Sequence, residues 1–213
     1  QLGAIARSLE VSLVTGGPAQ FDWQTFTTDS GVSYEMPTRN YNSVYQYTPD
    51  GTQTLTRYDK QHLVPFGEFI PWIRSSETLK QWFIDYLSPY DFDYTLHRGA
   101  GPVLFELAAR EGQTLSFATP ICFEDTVSRV CRRMVYDDGR KRADLLVNVT
   151  NDGWFEGTRE PVLHLQTSVL RCVELRVPMV RSVNTGDSGF IDSTGRVGPL
   201  VARDGKRTAV EGG

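Results

Sequence analysis

The sequence predicts an α/β fold built on a mixed sheet. Strand-like apolar runs alternate with amphipathic helical stretches through most of the chain, which closes on three strand-like runs separated by glycine turns. Between them DLLVNV, at 144–149, is a nearly continuous apolar run of the kind a buried strand shows. A length of 213 residues suits one domain with enough apolar content for a core.

The elements follow in order. Leu2, Ile5 and Leu9 share one face of a helix over 2–9, and VSLVTGG at 11–17 reads as a buried strand ending in a glycine turn. The polar, aromatic segment 18–39 is expected to be a long loop. SVYQYTP, the turn signal PDG at 49–51 and TQTLTRYDK form a hairpin that delivers Lys60 at a strand end. An aromatic-rich insertion or flap spans 71–101, where Trp72, Ile73, Leu79, Trp82, Phe83, Tyr86 and Leu87 keep helical spacing after a Ser-Ser-Glu start. VLFELAAREGQTLSFATPICFED reads as two strands joined by a tight EGQ turn, with Cys122 ending the second. A short helix at 125–136 and a charged DDGRKR loop precede the 144–149 strand, which runs into an Asn-Asp-Gly turn. Segment 160–176 fits a helix with Pro161 near its start and Leu163, Thr167, Leu170 and Glu174 on one stripe. PMVRSVNTG, SGFIDSTG and RVGPLVARDG supply the last three strands.

Composition removes several functions. A net charge of −4 and no run of Lys or Arg argue against nucleic acid as a partner. Three cysteines and three histidines show neither CxxC nor HxxxH spacing, so no metal site is expected. No apolar run approaches the roughly 20 residues that span a bilayer. The chain starts without Met in mid-helix and stops soon after a strand-like run, so it reads as a piece of a longer protein, truncated at both ends and lacking a first strand.

One constellation carries chemistry. YDKQHLVPFGE at 58–68 supplies Lys60 and, eight positions later, Glu68; ICFE at 121–124 supplies Cys122 and Glu124. A thiol, an ammonium and carboxylates suit acyl transfer through a thioester: the lysine lowers the thiol pKa and holds an oxyanion, while a carboxylate moves protons. Pro65 and Pro71 fix the path of the lysine segment. Taken alone, Cys122 reads as a small buried hydrophobe, Lys60 as a surface lysine, and Glu68 and Glu124 as ion-pair partners. Cys131 and Cys172 keep the bland reading. A lone helical His164 reads as a satisfied core or interface residue, and Arg171 with Glu174 as a structural pair.

Together YDKQHLVPFGEFIP, ICFE, NDGWF at 151–155 and NTGDSG at 184–189 resemble the nitrilase (carbon–nitrogen hydrolase) superfamily, most nearly its apolipoprotein N-acyltransferase branch. The resemblance runs from about residue 40 to 197 and implies a nitrilase-like α-β-β-α sandwich over 1–213. It implies Cys122 as nucleophile, Lys60 as the group stabilising the tetrahedral intermediate, and Glu68 as a second active-site glutamate. Glu124, Phe123, Asn151, Asp152 and Trp154 are implied to line the substrate pocket, and NTGDSG to frame it. Phe123 departs from the branch's tyrosine, which leaves the backbone N–H at that position available to an oxyanion. The family's general base is a glutamate in a Pro-Glu pair before the first helix; Glu10 does not fit that place, so the base and hence activity are expected to need more chain.

The interval of 62 positions from Lys60 to Cys122, long because of 71–101, favours the acyltransferase branch. The implied reaction takes an acyl group from a phospholipid and passes it to the N-terminal cysteine of a lipoprotein, without metal or organic cofactor. The implied location is the periplasmic side of a bacterial inner membrane. A cytoplasmic amidase and a non-catalytic nitrilase-like binding domain are the alternatives.

Overall fold

The computed structural model describes residues 1–27, 30–71, 78, 82, 95–109, 112–155 and 158–201, with backbone only at 154–155. Helix α1 (Leu2–Leu9) is followed by β1 (Leu13–Thr27), β2 (Ser33–Tyr47) and β3 (Gln53–Asp59), which pair in that order as an antiparallel three-stranded sheet. β4 (Phe105–Ala108), β5 (Thr114–Ala118), β8 (Leu145–Thr150), β9 (Met179–Val183), β10 (Gly189–Ile191) and β11 (Val197–Leu200) form the second sheet, in the order 11-10-9-8-5-4. Its centre, β5-β8-β9, is parallel and its flanks are antiparallel. That is the predicted mixed sheet.

The physical reason lies in burial. β8 is paired on both edges, so its near-continuous apolar run suits a strand covered on both faces. One apolar cluster joins Val44 and Tyr58 of the first sheet to Phe105, Phe117, Leu146 and Met179 of the second. The same cluster takes in Val130, Met134, Cys172 and Leu175 from α2 (Ser128–Val135) and α3 (Glu160–Leu175). α1 lies against the β2–β3 turn, where Arg7 Nε donates to Asp50 O at 2.7 Å. Gly3 and Gly51 approach so closely that a Cβ on Gly51 would meet Gly3 O at 2.4 Å, and Gly51 has φ 84° besides.

Three expectations change. Segment 18–39 is not a loop: β1 and β2 pair from Leu13↔Tyr47 out to Thr27↔Ser33 as a long ribbon. Its outer half is largely exposed, with Phe21, Met36, Pro37 and Thr38 half-buried, so it lacks the apolar alternation that reveals a half-buried strand. The DDGRKR loop is a minimal hairpin, β6 (Tyr136–Asp137) with β7 (Arg140–Lys141), turned by Asp138 and Gly139 at φ 46° and 76°. Finally, α3 buries His164, Ser168, Cys172 and Leu175, while Leu163 and Leu170 are each 59% exposed. The inward stripe carries polar groups because they join a buried ionic network, which an apolar count misses. Most of the 71–101 segment lies outside the described residues. Among the described residues, no helix is long and apolar enough to cross a membrane.

Candidate active site

Parallel strand ends build the site. β5 leads through Pro120 to Cys122, β8 ends at Thr150 and leads to Asn151 and Asp152, and β9 leads to Asn184. A parallel bridge between Ile121 and Val149 extends the β5–β8 line to the residue before the thiol. The carboxyl ends of such strands share one crevice. β3 of the other sheet ends at Asp59 and delivers Lys60 to the same place.

Cys122 stands at φ 52°, in the left-handed region that a non-glycine residue adopts only when its surroundings enforce it. It opens a short 3₁₀ turn, Cys122–Thr126. Burial pushes the half-buried thiol above its ordinary pKa, while Lys60, the Thr150 hydroxyl and the Phe123 N–H pull it down and Glu68 adds to the rise. Lys60 does pull the thiol pKa down as expected, but burial outweighs it. Desolvation prevails over an ammonium that already has a carboxylate partner.

Lys60 is fully buried, and its Nζ donates to Glu68 Oε1 at 2.8 Å. Glu68 is returned to the lysine by a tight turn: Gly67 N and Glu68 N both donate to Val64 O, and Val64 N donates to Glu68 Oε2 at 2.9 Å. Phe66 takes φ 62° within it. A buried cation holds its charge only with such a partner.

Glu124 differs from the substrate-binding expectation in its surroundings. It is fully buried, accepting N–H bonds from Gln61 and His62 at 2.8 Å and from Ile121 at 2.9 Å, and the Tyr58 hydroxyl at 2.9 Å. Burial raises its carboxyl pKa against those donors. This one carboxylate ties the backbone just after Lys60 to the backbone just before Cys122. Phe123, also expected in the pocket, lies with its ring stacked on His164, centroids 4.9 Å apart.

His164 Nε2 lies 2.7 Å from Asp125 Oδ1, and its Nδ1 lies 3.2 Å from Asp152 Oδ1. Burial opposes its charge, but hydrogen bonds to Asp125 and Asp152 prevail and bring its pKa up to about 9. Arg181 of β9 donates to Asp125 Oδ2 at 3.1 Å and also bonds Ser168, which itself donates to Asp125 Oδ2 at 2.5 Å. Burial works to raise Asp152, yet His164, Thr150 and Arg181 hold it below the usual carboxylate range. Arg171 pairs with Glu174 as expected.

Asp152, Glu160 and His164 bring ligand atoms within 4.8 Å of one another, the geometry a metal ion could use. The chemistry of the set disfavours one. The His164 proton is held by two carboxylates, and Arg181 Nη2 stands 3.7 Å from Asp152 Oδ2. Asn151 Oδ1 accepts from Asn184 Nδ2 at 2.5 Å, and Asp152 N donates to Asn184 Oδ1 at 3.1 Å, so NDGWF and NTGDSG do meet. The Trp154 backbone lies in the 3₁₀ turn Asp152–Phe155.

The structure thus brings Lys60, Glu68 and Cys122 together and adds Tyr58, Asp125, Asn148, Thr150, Ser168 and Arg181. Arg181 left one trace in the sequence, a cation inside the apolar strand MVRSV. Tyr58 and Asp125 lie inside the quoted motifs, but nothing in the sequence marked their roles.

The sequence pattern of the carbon-nitrogen hydrolase family matches residues 1–209. The chain belongs to that family. Among curated carbon-nitrogen hydrolase relatives, apolipoprotein N-acyltransferase 2 of Treponema denticola is 33% identical over 167 residues, 78% of this chain and 30% of that protein. Apolipoprotein N-acyltransferase of Bordetella bronchiseptica is 42% identical over 149 residues, 68% of this chain and 24% of that protein. The chain therefore spans under a third of the length of these relatives. Solved carbon-nitrogen hydrolase structures share the fold. A superfamily protein from Xanthomonas campestris, with an arsenic adduct in its active site, has a TM-score of 0.59 at 18% identity, covering 94% of this chain and 62% of that one. An amidase from Nesterenkonia gives 0.55 at 14% identity, covering 94% and 61%.

Proposed function

We propose that this chain is the thioester-forming part of an apolipoprotein N-acyltransferase. What carries the reading is Cys122 on a left-handed turn at the parallel strand ends, facing the buried Lys60–Glu68 pair, together with relatives of that name. The thiol proton passes to a carboxylate base, and the sulfur attacks the ester carbonyl of a phospholipid. Lys60 Nζ and the Phe123 N–H hold the oxyanion. Collapse expels the lysophospholipid alcohol, which takes the proton, and leaves an acyl-Cys122 thioester. The α-amine of a lipoprotein N-terminal cysteine then attacks, forming the amide and returning the thiol; ping-pong kinetics follow.

Glu68 orients Lys60 and the substrate, and Asn151, Asp152 and Trp154 border the pocket. Glu124 acts as a positioning residue, because its oxygens are taken by protein donors. We assign the base to a carboxylate outside the described residues, since Glu68, Glu124, Asp125 and Asp152 are all engaged. Residues 71–101 serve as a flap toward the acyl chain. The domain works on the periplasmic side of a bacterial inner membrane.

Intact-protein mass spectrometry of the full-length protein after incubation with phospholipid tests this. A fatty-acyl increment that maps to Cys122, is removed by hydroxylamine and is absent from Cys122→Ser supports the transferase. Turnover of small amides without an increment makes it a hydrolase instead. Neither result would leave a binding domain.

A further inference from the structure

Leu146, Asn148 and Thr150 alternate onto one face of β8, the face that meets the Cys122 turn. Leu146 packs in the core, and the Thr150 hydroxyl donates to Asp152 Oδ1 at 2.8 Å. Asn148 lies between them, fully buried in the middle of a central strand. Its Nδ2 donates to Pro120 O and to Cys122 O, both at 3.1 Å. Both neighbours accept only, so the amide nitrogen must face them. Its Oδ1 is buried with no hydrogen-bond partner among the described residues. An unpaired buried acceptor is unfavourable, and a valine or leucine here would not carry one. Packing alone therefore does not account for an asparagine.

What the amide does follows from peptide geometry. The C=O of Cys122 and the N–H of Phe123 belong to one planar trans unit and point in opposite directions. With the carbonyl drawn to β8, the Phe123 N–H is turned to the opposite side, away from that strand. The same grip on the carbonyls flanking the 121–122 segment holds Cys122 at its left-handed φ of 52°.

We infer that Asn148 is a positioning residue of the acylation step: by anchoring the Cys122 carbonyl it aims the Phe123 N–H at the thiolate and the developing oxyanion. This rests on the thioester reading of Cys122, but its test does not need the acyl donor.

Asn148→Val and Asn148→Thr form the test pair in the full-length protein. Both are β-branched and suit a strand, and they differ by a methyl for a hydroxyl, so only Thr can still donate to one carbonyl. The first readout is iodoacetamide alkylation mapped to Cys122 across pH, with Lys60 and Glu68, the charged groups facing the thiol, left in place. The expected result is an upward move of the alkylation midpoint in Val, a smaller one in Thr, and an unchanged melting temperature. The second readout is acyl transfer, where kcat falls on the order of tenfold in Val with KM unchanged, as loss of one oriented donor implies. An unchanged midpoint in both variants overturns the inference, as does equal behaviour of Val and Thr. Loss of native circular dichroism in both would make Asn148 a folding residue and overturn it too. If lipid never acylates wild-type Cys122 while the midpoints still move, the transferase reading fails and the role of Asn148 stands.

Discussion

Lys60 and His164 are both buried cations, yet they answer to different partners. Lys60 has one strong partner, Glu68, and faces the thiol with the rest of its charge. Removing that charge should leave packing little changed, since a methionine fills similar volume. Lys60→Met is therefore expected to slow acylation of Cys122 by about 10²–10³-fold, the range for loss of an oxyanion donor, with the melting temperature preserved. A melted domain would show that the lysine holds the fold instead. His164 is set between two carboxylates, and its pKa rises from 6.5 to about 9 on folding. The stability from this proton is fully present below the unfolded value of 6.5 and is lost as pH rises through about 9. A shift of that size amounts to at most about 3 kcal/mol. Thermal unfolding from pH 6.5 to 9 should show wild-type stability falling, and His164→Gln should be less stable at pH 6.5 with a flatter profile. Parallel profiles would mean that His164 does not carry the proton in the folded state.

At the scale of elements, the lysine segment is held by backbone contacts as much as by Glu68. Lys60 N donates to Asn42 O, and Gly99 N donates to Lys60 O, both at 2.8 Å. Gly99 comes so close to β3 that a Cβ would meet Asp59 O at 2.0 Å. Gly99→Ala must push Lys60 or the 97–102 turn aside, so turnover should fall well before global stability does. Turnover and a melting temperature equal to wild type would show that the turn can yield without moving Lys60. The 3₁₀ turn after Cys122 is held in the same manner, by Asn148 on its carbonyls, Glu124 on the Ile121 N–H, and Arg181 and His164 on Asp125. A strained nucleophile persists only when its surroundings over-determine it.

Across the whole molecule, two sheets divide the work. The second sheet supplies the nucleophile and its clamps at the parallel strand ends, and the first supplies the lysine through β3. Beyond the stretch that β3 covers, Ser43 to Tyr47, Asn42 and Asn40 of β2 still bond Lys60 and His97, and from Arg39 outward its ladder runs along β1. The outer ribbon buries little, so replacing residues 21–38 with a two-residue turn should change the melting temperature by no more than about 2 °C, near the bottom of what 1 kcal/mol is worth at this size. A larger loss would show that the ribbon packs on residues outside those described here.

The sequence by itself determined the alternation of strands and helices, the hairpin that delivers Lys60, and the strand that leads toward Cys122, which stops at Ala118 four residues short of it. These are local: burial periodicity and turn residues act within a few positions. The motifs also placed Lys60, Glu68 and Cys122 as one group, and the structure brings them together. Only the tertiary structure decided the ribbon, because a largely solvated ladder needs no apolar pattern. It alone decided which stripe α3 buries and why Glu124 is enclosed, since Tyr58, His62 and Glu124 meet across more than 60 residues of chain. It also decided that burial outweighs the lysine at the Cys122 thiol, because desolvation depends on what surrounds a group in space and not on its neighbours in sequence.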